Sequence, residues 1–211
     1  MKTNFETNPA EIEKKSFGII SDALKDKELK PEEADIIKRV IHTTADFDYA
    51  ENLVFSETAV NRGLSALKKG CTIVTDTEMA RSGINKKALE KLGCRAVCYM
   101  SDSRVAEEAK KRGITRAMVS MEKACETEGE VIIAVGNAPT ALINIFEFCK
   151  EGKLDPSLVI AVPVGFVNVV EAKELIIASR IPHIAAKGRK GGSTVAAAIV
   201  NALMYKITGR S

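Results

Sequence analysis

Short, mainly apolar runs alternate with longer amphipathic segments along most of the chain. These runs are nearly continuous in apolar residues, which is typical of strands in a parallel sheet covered by helices on both faces. Five strands are predicted, the last being the weakest: residues 71–75, 95–100, 131–135, 158–162 and 183–186. This alternation of strands and helices predicts an α/β fold.

Six segments with helical periodicity lie between or after these strands, at residues 86–92, 104–112, 116–126, 140–150, 169–178 and 194–207. Three further helices are predicted before the first strand. They begin near Asn8-Pro9, at Pro31 and at Ser56, and the last ends at Gly70. The predicted fold class is therefore α/β, a three-layer, doubly wound, mainly parallel sheet of about five strands, with helices on both faces and an N-terminal helical segment.

Composition narrows the class of protein. The 211 residues contain no low-complexity linker, so one domain spanning residues 1–211 is predicted. A net charge of +3 is far below that of a dedicated nucleic-acid binder, although an acidic small ligand fits it. No secretory signal and no membrane-spanning run is recognisable, so a soluble, cytoplasmic protein without membrane partners is expected.

The five cysteines are Cys71, Cys94, Cys98, Cys125 and Cys149. They fall mostly in apolar segments, and Cys94 and Cys98 lack a second Cys/His pair at zinc-ligand spacing. Buried, reduced thiols are expected, and no metal site is predicted.

The turns after the predicted strands carry most of the unusual residues. In open α/β sheets, ligands bind in the crevice beyond the carboxyl ends of the strands. Five candidate binding residues lie in these turns: Asp76, Asn137, Gly165, Arg189 and Gly192. Each of these turns, taken alone, also has the composition of an ordinary structural turn.

The turn after the fifth strand concentrates positive charge. Lys187, Arg189 and Lys190 precede a glycine pair and a helix start, so these cations either face an anion or are fully solvated. The spacing of a phosphate-binding loop is absent, and no strand is followed by G-x-G-x-x-G. Neither a nucleoside triphosphate nor a dinucleotide is indicated.

Only two histidines are present. His42 falls near the C-terminal end of the helix that begins at Pro31, where the helix dipole favours the imidazolium and a proton-donor role. A capping or core role is the alternative for a lone histidine. His183 starts the fifth strand, away from the expected crevice, and a structural role is favoured.

An ordered set of motifs resembles the precorrin-8X / cobalt-precorrin-8 methylmutase family of cobalamin biosynthesis. The resemblance runs from near residue 10 to near residue 205 and rests on these segments: EKKSF at 13–17, VIH at 40–42, VFS at 54–56, TDTEM at 75–79, GNAPTAL at 136–142, PVGFV at 163–167 and GRKGGS at 188–193.

The resemblance implies an isomerase that moves a methyl group from C11 to C12 of a corrinoid ring without a cofactor. It implies that His42 is the catalytic acid and that Ser16 and Arg116 contact the substrate. The other candidates, from Asp76 to Gly192, rest on strand-end position together with motif match. A homodimer is also implied, and the carboxylate arms of a corrinoid fit the scattered cations.

Three points stay open at this stage. A corrinoid-binding carrier without isomerase activity is the main alternative, and a nucleotide-binding regulator is disfavoured by the missing phosphate loops. The sequence also leaves open whether the substrate already carries cobalt, its Lys-rich character favouring the cobalt form.

Overall fold

The computed structural model describes residues 5–209 and contains one six-stranded sheet. The strands are β1 (Leu53–Phe55), β2 (Thr72–Thr75), β3 (Arg95–Cys98), β4 (Val131–Val135), β5 (Leu158–Ala161) and β6 (His183–Ala186). Their order is β1-β6-β5-β4-β2-β3. All neighbouring pairs are parallel except β1 and β6, which are antiparallel.

The five predicted strands are therefore confirmed, with ends that differ by at most two residues. The prediction of about five strands missed β1. This strand has only three residues, two of them half-buried, and it extends the sheet beside β6 with Leu53 opposite Ala186. A run this short carries too little hydrophobic pattern to be recognised as a strand.

The described residues form eleven helices. They are α1 (Pro9–Ala23), α2 (Pro31–Thr44), α3 (Tyr49–Asn52), α4 (Ala59–Lys69), α5 (Glu78–Gly83), α6 (Lys86–Lys91), α7 (Ser103–Arg112), α8 (Arg116–Cys125), α9 (Pro139–Lys150), α10 (Val169–Ile177) and α11 (Ser193–Thr208). The nine predicted helices are present, and Asn8 caps α1 as expected. The sequence did not predict α3 and α5, which have four and six residues.

The central strands are buried on both faces, and their alternate residues enter two separate cores. In β4, Ile132 and Ala134 pack with helices α2, α4 and α11. Val131, Ile133 and Val135 pack on the other face with α8, α9 and α10. This three-layer arrangement confirms the predicted fold class.

The sheet brings the carboxyl ends of β2, β4, β5 and β6 to one edge, because these strands run in the same direction. The chain goes from β2 outward to β3 and then returns to β4 on the other side of β2. The crevice between β2 and β4 is therefore the switch point at which ligands are expected. The turns that hold most of the candidate residues lie at this edge.

The burial of the cysteines and of His183 tests two further predictions. All five cysteines are free, but only Cys71 is buried and the other four are half-buried, so the prediction of buried thiols is right for one of them. His183 is buried and its Nδ1 is 2.8 Å from the carbonyl oxygen of Ile181, which fits the structural role. Among residues 5–209, no helix combines the length and apolar character needed to span a bilayer.

The prediction of one domain covers residues 1–211. Residues 1–4 and 210–211 lie outside the described residues.

Candidate functional site

His42 lies in the last turn of α2, at the rim of a cleft of about 300 Å³ between α2 and α11. The cleft is lined by Arg39 and Thr43 from α2, by Gly83, and by residues of α11 from Thr194 to Tyr205. Thr194 belongs to the first turn of α11, whose start lies at the carboxyl edge of the sheet. The cleft therefore reaches from the α2–α11 contact to the edge where ligands are expected.

The imidazole of His42 stacks on the ring of Phe17, with the ring centroids 5.0 Å apart and an angle of 9° between the planes. The guanidinium of Arg39 lies over the same Phe17 ring at 4.5 Å and over the Tyr205 ring at 5.5 Å. Arg39 also donates to Glu13 at 3.0 Å. The EKKSF segment of α1 is thereby joined to the VIH segment of α2, so two distant motifs form one aromatic and cationic cluster.

The surroundings of His42 lower its pKa below the usual value of 6.5, first through partial burial and second through the positive charge of Arg39. This direction is opposite to the one that the helix end alone predicts. The dipole of α2 favours the imidazolium, but Arg39 lies one turn earlier on the same face of the helix and its positive charge opposes protonation. His42 is therefore mainly neutral in the free protein near pH 7.

Asp76 is fully buried in the crevice between β2 and β4, where it holds the turn after β4. Its carboxylate accepts hydrogen bonds from the backbone N–H groups of Gly136 at 2.9 Å and of Asn137 and Ala138 at 2.7 Å each. Burial raises the pKa of Asp76, and these three hydrogen bonds oppose the rise. Asp76 therefore fixes the turn after β4, and its contact with a substrate stays a prediction.

The same turn brings the start of α11 against β4. A Cβ atom on Gly136 would lie 2.7 Å from Cα of Ser193, so only glycine allows this approach. The hydroxyl groups of Thr77 and Ser193 are 2.8 Å apart and tie the turn after β2 to α11. Asn137 is exposed, and its side-chain amide makes no hydrogen bond to the described residues, which leaves it available to a ligand.

The side chain of Lys190 anchors the basic turn after β6. Lys190 donates to Asp46 and to Asp48 at 2.6 Å each, and these carboxylates raise its pKa. One of the three cations thus faces anions of the chain itself, and the turn is fixed to the segment that follows His42. Arg189 and Lys187 are exposed and have no carboxylate within 4.0 Å in the described chain.

Glycines allow this turn to pass under the end of β5. Gly191 has φ +159°, and a Cβ atom there would lie 2.1 Å from the carbonyl oxygen of Val162. The N–H of Gly192 donates to that oxygen at 2.8 Å, and the N–H of Gly165 donates to the Arg189 carbonyl at 3.2 Å. The structure therefore joins Gly165, Arg189 and Gly192, three of the predicted residues, through backbone contacts.

Ser16 and Arg116 do not line the cleft beside His42. Ser16 precedes Phe17 on α1, and its hydroxyl donates to the Ile12 carbonyl at 2.8 Å. Arg116 begins α8 on the opposite face of the sheet, is exposed and does not line the cleft beside His42. The Thr115 and Thr140 hydroxyls, 3.1 Å apart, connect its helix to the start of α9.

The carboxyl edge also exposes large apolar side chains. Phe166 and Val167 follow β5 with exposed fractions of 85% and 75%, and Met79, after β2, is 67% exposed. A larger cavity of about 600 Å³ opens next to Pro182, which precedes β6 at the other edge of the sheet, and none of the predicted site residues lines it. The described residues contain no group of three His, Cys, Asp or Glu placed to hold a metal ion.

Several residues of this site were missed from the sequence. Arg39 could have been found through helical spacing, since it lies three positions before His42. Phe17 could have been found through the EKKSF segment, which it ends. Lys173 holds the basic turn from α10, and no local sequence signal indicates that contact.

The fold and the site define an α/β protein that presents a histidine, an arginine and aromatic rings beside a basic edge of its sheet. The family model that matches is precorrin-8X methylmutase, over residues 11–206. The cobalt-precorrin-8 methylmutase of Salmonella typhimurium is 47% identical over 205 residues, covering 94% of this chain and 96% of its own length. That of Leptospira interrogans is 43% identical over 201 residues, covering 92% and 91%.

A solved structure, precorrin-8X methylmutase from Thermus thermophilus, superposes with a TM-score of 0.85 at 37% identity, covering 92% of this chain and 94% of that one. The chain therefore belongs to the precorrin-8X methylmutase family and is an isomerase of corrin biosynthesis. The predicted family and class of enzyme are confirmed.

Proposed function

We propose that this protein converts cobalt-precorrin-8 to cobyrinate by moving a methyl group from C11 to C12, with His42 as the acid. The cobalt form is proposed because the similar relatives from Salmonella typhimurium and Leptospira interrogans carry that substrate in their names. The proposal includes a homodimer, a cytoplasmic location and no cofactor, the cobalt being part of the substrate. The single observation that carries it is the exposed imidazole of His42, which stacks on Phe17 at the rim of the cleft.

The proposed reaction is an isomerisation, so atoms and electrons balance within the substrate. His42 donates a proton to the conjugated macrocycle, the methyl group migrates along one face of the ring, and the proton returns to the imidazole. Phe17 fixes the plane of the imidazole. Partial burial and, second, the charge of Arg39 keep the pKa of His42 low, which makes the imidazolium a stronger acid.

The carboxylate arms of the substrate carry negative charge, which is opposite to that of the cations at the carboxyl edge of the sheet. Arg189, Lys187 and the start of α11 offer cationic and N–H groups at the carboxyl edge, and Asn137 offers a neutral amide. Negative arms near His42 raise its pKa again and so protonate it in the complex. In this proposal Ser16 and Arg116 contact arms that extend beyond the cleft.

The test compares the wild type with His42→Ala and His42→Gln, each mixed with precorrin-8 and, separately, with cobalt-precorrin-8. Absorbance spectra follow conversion to the hydrogenobyrinate or cobyrinate chromophore. We expect conversion of the cobalt substrate by the wild type and a loss of at least about 100-fold in turnover in both variants, which is typical for removal of a general acid.

His42→Gln is the matched control, because it keeps a polar side chain that can form hydrogen bonds but cannot donate a proton at this pH. Binding by both variants without turnover supports the acid role. Binding by the wild type without isomerisation of either substrate would favour the carrier and contradict the proposal. Preferential conversion of metal-free precorrin-8 would contradict the cobalt assignment alone.

A further inference from the structure

Lys173 is a buried cation that the proposed chemistry does not use. It lies on α10, has no exposed surface, and no carboxylate oxygen of the described residues is within 4.0 Å of its ammonium. Burial lowers its pKa to about 8. A lysine buried without an acidic partner is costly, so it persists only where its hydrogen bonds are needed.

The ammonium of Lys173 binds the backbone of the basic turn. Nζ donates to the carbonyl oxygen of Gly188 at 2.9 Å and to that of Lys190 at 2.8 Å. Arg189 lies between these two residues, and its own carbonyl accepts the N–H of Gly165. Three successive carbonyls of the turn therefore accept hydrogen bonds, two of them from the buried Lys173, while the Arg189 side chain remains exposed to solvent.

The same turn is held on its outer side by a different set of bonds. The Lys190 side chain binds Asp46 and Asp48, which follow the helix of His42. Lys173 therefore holds the backbone of the turn from the protein interior, and the Lys190 side chain holds the turn at the protein surface. Loss of the inner bonds leaves the two carbonyls without buried donors and releases the position of Arg189.

We propose that Lys173 is a positioning residue for substrate binding, which holds residues 188–190 so that Arg189 and the start of α11 face the carboxylate arms of the ligand. This proposal rests on the proposed function for the identity of the ligand. It assigns Lys173 no contact with the substrate and no part in the proton transfer at His42.

The experiment compares the wild type, Lys173→Met and the control Ile176→Ala with cobalt-precorrin-8. Ile176 is buried on the same helix and packs in the core below the sheet, so its truncation destabilises α10 without removing a bond to the turn. We expect Lys173→Met to raise KM by about 10-fold or more while kcat stays within about 3-fold of the wild type. Ile176→Ala should leave both values near those of the wild type at a temperature where it is folded.

A second readout does not depend on activity. Trypsin cleaves after Lys187, Arg189 and Lys190 only when the turn opens, and mass spectrometry identifies the cut. We expect cleavage within residues 187–190 to be about 10-fold faster in Lys173→Met than in Ile176→Ala, because local opening governs proteolysis. If Lys173→Met does not fold, Lys173→Gln is measured in the same way, and we expect the same changes, because its shorter, neutral amide donates weaker hydrogen bonds than the ammonium.

The outcomes separate the two proposals. Absence of turnover in the wild type contradicts the proposed function, and the trypsin measurement still tests the role of Lys173. Unchanged KM together with unchanged cleavage in the Lys173 variant overturns the positioning role. An equal rise of KM in Ile176→Ala also overturns it, since Lys173 then contributes only general stability.

Discussion

Two neighbours on different helices determine the surroundings of the His42 imidazole. Phe17 from α1 supplies a flat apolar surface, and Arg39 from α2 supplies a positive charge that the last turn of the helix would not provide. Both act against protonation in the free protein, because burial and a like charge each disfavour the imidazolium. In the proposed reaction a polyanionic substrate reverses this balance, so we expect the imidazole to gain its proton mainly when the substrate is bound.

Substitution of Arg39 by Gln should therefore raise the pKa of His42. An acid is active only when protonated, so kcat/KM falls as the pH rises through the pKa of His42 in the free enzyme. In the wild type we expect the midpoint of this fall below 6.5, the usual pKa of histidine, and in Arg39→Gln we expect it at higher pH. Titration of the histidine ring signals by NMR measures the same shift directly.

His183 serves as the internal control in this titration, because it is the only other histidine and lies in β6. Its pKa is lowered by burial, and Arg39 is not among the causes. A shift of His42 with no shift of His183 supports the local charge effect. If the pKa of His42 stays constant or falls in Arg39→Gln, the assigned influence of Arg39 is wrong.

At the scale of elements, the contact between β4 and α11 depends on one glycine. Gly136→Ala places a methyl group 2.7 Å from the backbone of Ser193, and the start of α11 has to move away. We expect a loss of about 1–3 kcal/mol in the free energy of unfolding, which is typical for overpacking. We also expect higher KM, because α11 lines the cleft beside His42. Chemical denaturation and steady-state kinetics measure the two effects.

Gly18→Ala is the matched control, since it makes the same substitution in helix α1, where the added Cβ meets no atom within 4 Å beyond the adjacent residues and backbone of its own helix. There the change should stabilise the protein by about 0.5–1 kcal/mol through helix propensity. Equal stability of Gly136→Ala and the wild type would mean that α11 tolerates the displacement.

The elements of the central sheet could be predicted because their signals are local. Strands such as β4 are continuous apolar runs, and helix α2 begins with a proline and acidic residues. β1 was missed because its three residues become a strand only by pairing with β6, which is a tertiary contact. Helices α3 and α5 are shorter than two turns and show no clear period.

In the candidate site, too, local signals allowed some residues to be predicted, whereas roles that depend on tertiary contacts were missed. Position at a strand end correctly placed Asn137 and Arg189 at the carboxyl edge, since sheet topology follows from the order of elements. It could not show that Asp76 accepts three backbone N–H groups, because those hydrogen bonds depend on the exact path of the turn after β4. Lys173 was missed for a similar reason, since a lysine on an amphipathic helix predicts an exposed position.

At the scale of the whole molecule, the carboxyl edge of the sheet is both basic and unusually apolar. Phe166 and Val167 project from the turn after β5 with little cover from the described chain, and Val164 is 47% exposed. Large apolar side chains clustered at an edge mark a surface that another molecule covers. In the proposed homodimer, we expect this turn to pack on the partner subunit.

Phe166→Ser should therefore shift the protein from dimer to monomer, and sedimentation velocity over a range of concentrations measures the change. Removal of a large aromatic anchor from an interface typically costs about 2 kcal/mol or more, which weakens the dimer by about 30-fold. Phe5→Ser is the control, because Phe5 is 77% exposed and precedes α1. If Phe166→Ser remains dimeric and instead binds cobyrinate more weakly, this turn covers the corrinoid ring, and the apolar edge belongs to the cleft of a single subunit.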